Sequence, residues 1–112
     1  MLAAKTAFAD TASAGFVDYN CGVLAPHQYC LHNGAAQYTQ SWVWYEGANE
    51  RRMSTKLIFA SDGRLWGEAW GQGNNGSGNS VKLFSWRYGN STKPLISNNS
   101  QYYHTFKGRG VW

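Results

Sequence analysis

Residues 53–60 and 65–70 are two runs rich in strand formers, and only Ser61-Asp-Gly-Arg64 lies between them. Asp-Gly tolerates the positive φ angles that a tight turn requires, so the two runs are expected to pair as a β-hairpin. In the second arm, the two-residue period of a strand puts Trp66, Glu68 and Trp70 on one face and the small Gly67 and Ala69 on the other. This hairpin is the strongest local signal in the chain, and similar punctuation recurs on both sides of it.

Residues 15–20 read as a first strand and residues 29–31 as a second, stopped by Asn33-Gly34. Residues 38–45 alternate Tyr38, Gln40, Trp42 and Trp44 against Thr39, Ser41, Val43 and Tyr45. Residues 46–52 are polar and read as a loop, and residues 71–80 form a Gly/Asn/Ser loop with no apolar anchor. Residues 81–88 and 101–106 read as later strands. Lys93-Pro94 opens an irregular connection, residues 97–100 read as a turn, and Lys107-Gly-Arg-Gly110 is expected to turn the chain into Val111-Trp112. About seven short antiparallel strands at regular spacing imply an all-β fold, a small sandwich or barrel. Composition agrees: aromatics are 16% and charged residues only 14%, whereas a helical bundle would need more Ala, Leu, Glu and Lys at helical spacing. A chain of 112 residues fits one domain.

Two cysteines, Cys21 and Cys30, enclose a short loop. A zinc site needs about four ligands, and a redox pair would more often be Cys-x-x-Cys. A structural disulfide fits the spacing, implies an oxidising compartment, and would stabilise by roughly 2–3 kcal/mol in the chain-entropy view. The alternative is a pair of free buried thiols in a cytosolic protein. Ala7-Phe8-Ala9 and Ala12-Ser13-Ala14 have the small-x-small form of signal-peptidase sites, although the apolar region before them is short. Residues 1–14 are therefore expected to be a signal-peptide remnant or a flexible arm, with a single β domain over residues 15–112. No apolar run is long enough to span a membrane. The expected location is secreted, extracellular.

The net charge of +4 favours approach to anionic surfaces without selecting among them, and only Arg51-Arg52 are adjacent basic residues. Catalytic patterns are weak. Glu68, between Trp66 and Trp70, is the only acid in a suggestive setting, but a glycosidase needs a second carboxylate across a cleft. The alternative for Glu68 is a solvent-facing strand residue. His27, His32 and His104 have no metal-ligand spacing. There is no nucleophile elbow, and the glycine-rich stretch lacks the Lys and following helix of a phosphate loop. No cofactor, metal or catalytic residue is expected. Three Asn-x-Ser/Thr sequons, at Asn75, Asn90 and Asn98, matter only where the source glycosylates them.

The aromatics carry the functional signal. Six Trp exceed what a core this size needs, although for any one of them the core is the simpler place. Aromatic faces stack on sugar rings and act as hot spots in protein interfaces. Single-stranded nucleic acid would call for more Lys and Arg. Trp66 and Trp70, with Glu68 between them, are expected to lie exposed and to bind ligand.

The segment Asn20-Cys-Gly-Val-Leu-Ala-Pro-His-Gln-Tyr-Cys30, followed by Lys56-Leu-Ile-Phe-Ala60 and the terminal His104-Thr-Phe-Lys-Gly-Arg-Gly110, resembles small secreted β proteins of Gram-positive actinobacteria, largely of unknown function. Such proteins typically carry a second cysteine pair, which this chain lacks. The resemblance implies secretion rather than an activity, and some small proteins of that kind serve in antibacterial toxin assemblies. The expectation is a secreted, non-catalytic binding module for a protein partner or a cell-envelope glycan, within a larger assembly or alone. The alternative is a bacteriocin-like antibacterial effector or toxin subunit.

Overall fold

The hairpin forms as its turn chemistry dictates. In the computed structural model, Gly63 takes φ 76°, Asp62 Oδ1 accepts the Arg64 N–H at 2.9 Å, and Phe59 and Arg64 close the turn through their backbones. The structure describes residues 5–6, 8–13, 15–46, 51–73, 80–84 and 90–112. Trp86, Asn75 and most of the glycine-rich loop lie outside them. In chain order the described strands are β1 (Lys5–Thr6), β2 (Phe8–Ser13), β3 (Phe16–Leu24), β4 (Tyr29–Leu31), β5 (Gln40–Glu46), β6 (Arg51–Phe59), β7 (Leu65–Gly73), β8 (Ser80–Phe84), β9 (Thr92–Asn98) and β10 (His104–Val111). No helix occurs among the described residues.

The antiparallel pairs β6–β7, β5–β8, β4–β9 and β3–β10 are nested around residues 60–64, so the chain is one long hairpin folded over on itself. Further pairing of β6 with β9 and of β5 with β10 gathers these strands into two five-stranded sheets. Sheet A has the order β1-β4-β9-β6-β7 and sheet B the order β2-β3-β10-β5-β8. This is a jelly-roll sandwich. The stretch set apart at residues 1–14 supplies β2, antiparallel to β3, and β1, parallel to β4.

Strand alternation decides which residues meet between the sheets. Val43 on β5, Met53 and Leu57 on β6, Ile96 on β9 and Tyr19 and Phe106 on sheet B are all buried there. The Ser41 and Thr55 hydroxyls hydrogen-bond to each other across the core. The disulfide expected from the sequence is formed, with Cys21 and Cys30 both buried in the main core cluster and joining β3 to β4. At Cys21 the strand does not stop, as the sequence suggested, but bulges: Phe106 opposes Gly22 and Lys107 opposes Asn20, and Gly22 adopts φ 62°.

Two segments read as irregular are strands. Pro94 lies within β9, between β4 and β6. Having no N–H, it can only accept, and it takes the His32 N–H at 3.0 Å where the β4 ladder ends. Gly108 and Gly110 are not a turn but inward positions of β10. A Cβ on Gly108 would sit 2.4 Å from the Tyr19 ring, and one on Gly110 2.4 Å from the Tyr38 ring. The two glycines are bare because two tyrosine rings lie across the strand there.

The end of sheet A is tied by Asn98, which is fully buried. Its Nδ2 donates to the carbonyls of Leu24, Ala25 and Tyr102, at 3.0, 3.2 and 2.7 Å. Its Oδ1 accepts from the N–H and hydroxyl of Ser100, at 3.0 and 2.7 Å. One amide therefore holds the loop inside the disulfide and the turn after β9 against each other. Asn98 begins a sequon, yet its nitrogen is sealed inside the protein.

Three outcomes follow from this packing. Gly108→Ala should destabilise by about 3 kcal/mol through overpacking against Tyr19, read as a lowered denaturation midpoint. Asn98→Ala should cost about 3 kcal/mol in urea unfolding, because five hydrogen bonds are lost, three of them buried. The pH profile of stability should fall at both ends. Burial lowers the His32 pKa below its usual value, so the unfolded chain takes up a proton that the folded one resists. Stability present above about pH 6.5 is then lost as pH falls through the folded value. Burial pushes Tyr38 up to about 12, so stability complete below about pH 10 is lost as pH rises toward that value, with buried Tyr19 acting in the same sense. Thermal melts across pH, with Tyr38→Phe showing a flatter alkaline limb, check the assignment.

Candidate functional site

On β6, Met53, Thr55 and Leu57 face the core, so Arg52, Ser54 and Lys56 face outward. The register of sheet A extends these three positions into rows. Trp70, Ser54, Ser97 and Tyr29 stand side by side across β7, β6, β9 and β4. The next row is Glu68, Lys56, Leu95 and Leu31. At the other side, Arg52 opposes Gln72, and the Asn99 N–H donates to the Arg52 carbonyl at 2.7 Å.

The first row has exposed aromatic side chains at its ends and two serines sealed from solvent between them. Trp70 is 66% exposed and Tyr29 40%, whereas the two serines between them are buried. Strands lie about 4.8 Å apart, so the two aromatic positions are separated by roughly 14 Å. Lys56 rises between the rows: its Nζ is 3.1 Å from Glu68 Oε2 and 5.0 Å from the centre of the Tyr29 ring. Glu68 is thus held in an ion pair on a strand surface. Two other acids are engaged elsewhere, Asp18 in a two-point contact with Arg109 on sheet B and Asp62 with Arg64 in the hairpin turn.

Beyond the Trp70–Tyr29 row lies an open pocket of about 140 Å³, lined by His27, Arg52, Asn99, Ser100 and Gln101. Its walls are the two loops that Asn98 clamps. His27 has φ 64°, a left-handed backbone that is uncommon for a residue other than glycine. Its N–H donates to the Asn98 carbonyl at 2.7 Å, which helps hold it there. Tyr102 and Tyr103, next along the turn from Gln101, are both exposed. Among the described residues, four buried polar atoms of this surface lack a hydrogen-bond partner: Ser54 Oγ, Ser97 Oγ, Asn99 Nδ2 and Glu68 Oε2, the last held by its ion pair with Lys56.

Of the three binding residues expected from the sequence, Glu68 and Trp70 are on this face. Trp66 is the correction. Leu57 opposes Gly67 and Ile58 opposes Leu65, so Trp66 occupies a β-bulge and departs from strict alternation. It is half-buried and packs against the cluster of Val17, Tyr38 and Leu57. Nor is any described Trp buried in the core: Trp42 and Trp44 are half-buried on the outer face of sheet B, and Trp112 is exposed. Tyr29, Arg52 and the pocket residues had no sequence signal of their own. They come from three separate segments, 27–29, 52 and 99–101, and only the register brings them together. The three histidines are dispersed: His32 stacks on Tyr19 in the interior, His104 is buried on β10, and His27 is exposed.

No protein-family model matches the chain, and no curated protein matches it. Among solved structures it is similar to PirA, with a TM-score of 0.55 and 8% identity over 92% of this chain and 98% of that one. It also matches a cupin domain from Bordetella pertussis Tohama I, with a TM-score of 0.45 and 11% identity over 100% and 99% of the two chains. A third match is the Yersinia pseudotuberculosis-derived mitogen, with a TM-score of 0.46 and 17% identity over 88% and 86%. At these identities the likeness concerns the fold alone, and it is the one to PirA that supports the sandwich described above.

Proposed function

We propose that the protein is a secreted, non-catalytic binding module that takes a cell-envelope glycan on the outer face of sheet A. The observation that carries this reading is the row in which exposed Trp70 and Tyr29 flank two small serines, next to a polar pocket. Exposed aromatic rings offer stacking faces to pyranose rings. The amides of Asn99 and Gln101 offer both donors and acceptors to hydroxyl groups. The disulfide supports work in an oxidising, extracellular setting. Among the described residues no helix is long and apolar enough to cross a membrane.

The site suits binding better than hydrolysis. Glu68 is neutralised by Lys56, and the two other acids whose side chains are described are each bonded to an arginine away from it. Glycan-array binding by the purified protein, followed by titration of the best ligand, tests the proposal. Trp70→Ala and Tyr29→Ala should each weaken binding by about tenfold or more, in line with about 1–3 kcal/mol for one aromatic stacking face. Both side chains are exposed enough that the thermal midpoint should hardly move. Unchanged affinity in the double variant would remove this face from the account, and binding of a protein in place of any glycan would redirect it.

A further inference from the structure

Past the row of Glu68, Lys56, Leu95 and Leu31, the same face of sheet A continues with Ile58 on β6 and Lys93 on β9, which oppose each other. Asn33, two residues after Leu31, extends this third row: its Oδ1 accepts from Lys93 Nζ at 2.9 Å. The next residue is Gly34. β4 has ended by this point, residues 32–35 form no regular structure, and both Asn33 and Gly34 are exposed. The Gly34 carbonyl accepts from the Tyr38 hydroxyl at 2.7 Å, whereas among the described residues the Gly34 N–H donates to no hydrogen bond. A glycine has no side chain to shield its own backbone nitrogen and samples backbone angles that other residues avoid. Here that nitrogen follows directly on a side-chain amide whose oxygen is bonded to an ammonium group. Such a cation draws electrons from the amide carbon and stabilises the oxyanion that forms when the carbon is attacked.

We propose that Asn33 is a site of self-modification, in which the Gly34 nitrogen displaces the side-chain amide of Asn33 with Lys93 as the electrostatic aid. The Gly34 nitrogen gives up its proton and bonds to Asn33 Cγ. The Cγ–Nδ2 bond breaks, and ammonia leaves carrying that proton, which closes a cyclic imide over residues 33 and 34. Water then opens the ring. Opening at the former side-chain carbonyl gives aspartate; opening at the backbone carbonyl gives isoaspartate, with the main chain routed through Cγ. No oxidant or reductant takes part. Either product puts a carboxylate where Lys93 had a neutral partner. Isoaspartate also lengthens the chain between His32, whose N–H is bonded to Pro94, and Gly34, which holds the Tyr38 hydroxyl. Comparable positions are protected. Asp62 precedes Gly63, but its carboxylate accepts from the Arg64 N–H and guanidinium, and an ionised carboxylate resists nucleophilic attack. Asn98 is buried with its amide fully bonded. Asn90 precedes Ser91 instead of a glycine.

The experiment incubates the full chain at mildly alkaline pH and follows each asparagine by peptide mapping, with fragmentation that separates isoaspartate from aspartate. Asn33 should convert at least tenfold faster than Asn90 or Asn98 and yield both products. The second Asn-Gly pair, Asn75-Gly76, lies outside the described residues and serves as the reference for a reaction without Lys93. Lys93→Met should slow conversion at Asn33 about threefold and leave Asn75 unchanged, and Lys93→Arg, which keeps the charge, should restore most of the rate. In urea the difference between wild type and Lys93→Met should vanish, because the contact exists only in the fold. Equal thermal midpoints show that the variants are folded. An Asn33 that stays intact while Asn75 converts overturns the modification site. Conversion at an unchanged or higher rate in folded Lys93→Met overturns the part assigned to Lys93. Neither the reaction nor its test involves a glycan.

Discussion

Asn98 is buried at the end of sheet A with loops on both sides of it, and its amide is bonded to each. Three carbonyls and two groups of Ser100 depend on that one side chain. A buried amide with all its partners in place narrows the geometry of the groups around it, because each lost bond would leave a polar atom unsatisfied. The disulfide pins the same loop covalently from the core side. Together they convert two irregular connections, normally the mobile parts of a sandwich, into the fixed walls of a pocket. The surface proposed for binding therefore stands on a rigid base rather than on free loops.

The division of aromatic residues between interior and exterior is the second feature with functional weight. The deepest large side chains are Tyr19 and Phe106, while every described Trp retains some exposure. Tyr19 and Tyr38 can lie inside because Gly108 and Gly110 leave room over β10. With the interior filled in that way, Trp42 and Trp44 lie on the outer face of sheet B and Trp70 on that of sheet A. An aromatic excess that could have served the core thus becomes an aromatic surface.

Much of the fold was legible in the residues. The Asp62-Gly63 hairpin, the strand at residues 29–31 and the Cys21–Cys30 bridge follow from local rules, namely turn chemistry, alternation and loop length. Pro94 and the Lys107–Gly110 segment misled for an instructive reason. Proline and glycine oppose strand formation locally, yet both were placed in strands by tertiary neighbours: Pro94 where a ladder ends and only an acceptor is needed, Gly108 and Gly110 where rings exclude a Cβ. Likewise Trp66 followed the two-residue period on paper, and a single inserted residue in β7 took it off that face.

The sequence by itself determined the strand-rich class, the disulfide and the exposure of Trp70 beside Glu68, since each depends on contacts within a few residues or on side-chain type alone. Only the tertiary structure decided what stands next to Trp70. Tyr29, Arg52, Asn99 and Gln101 are separated along the chain by up to 72 positions and become neighbours through the register of β4, β9 and β6 and the Asn98 clamp. Register is a property of pairing between distant segments, set by how the nested hairpin closes and by its bulges, and a one-residue slip would turn the strand residues Tyr29 and Arg52 to the opposite face.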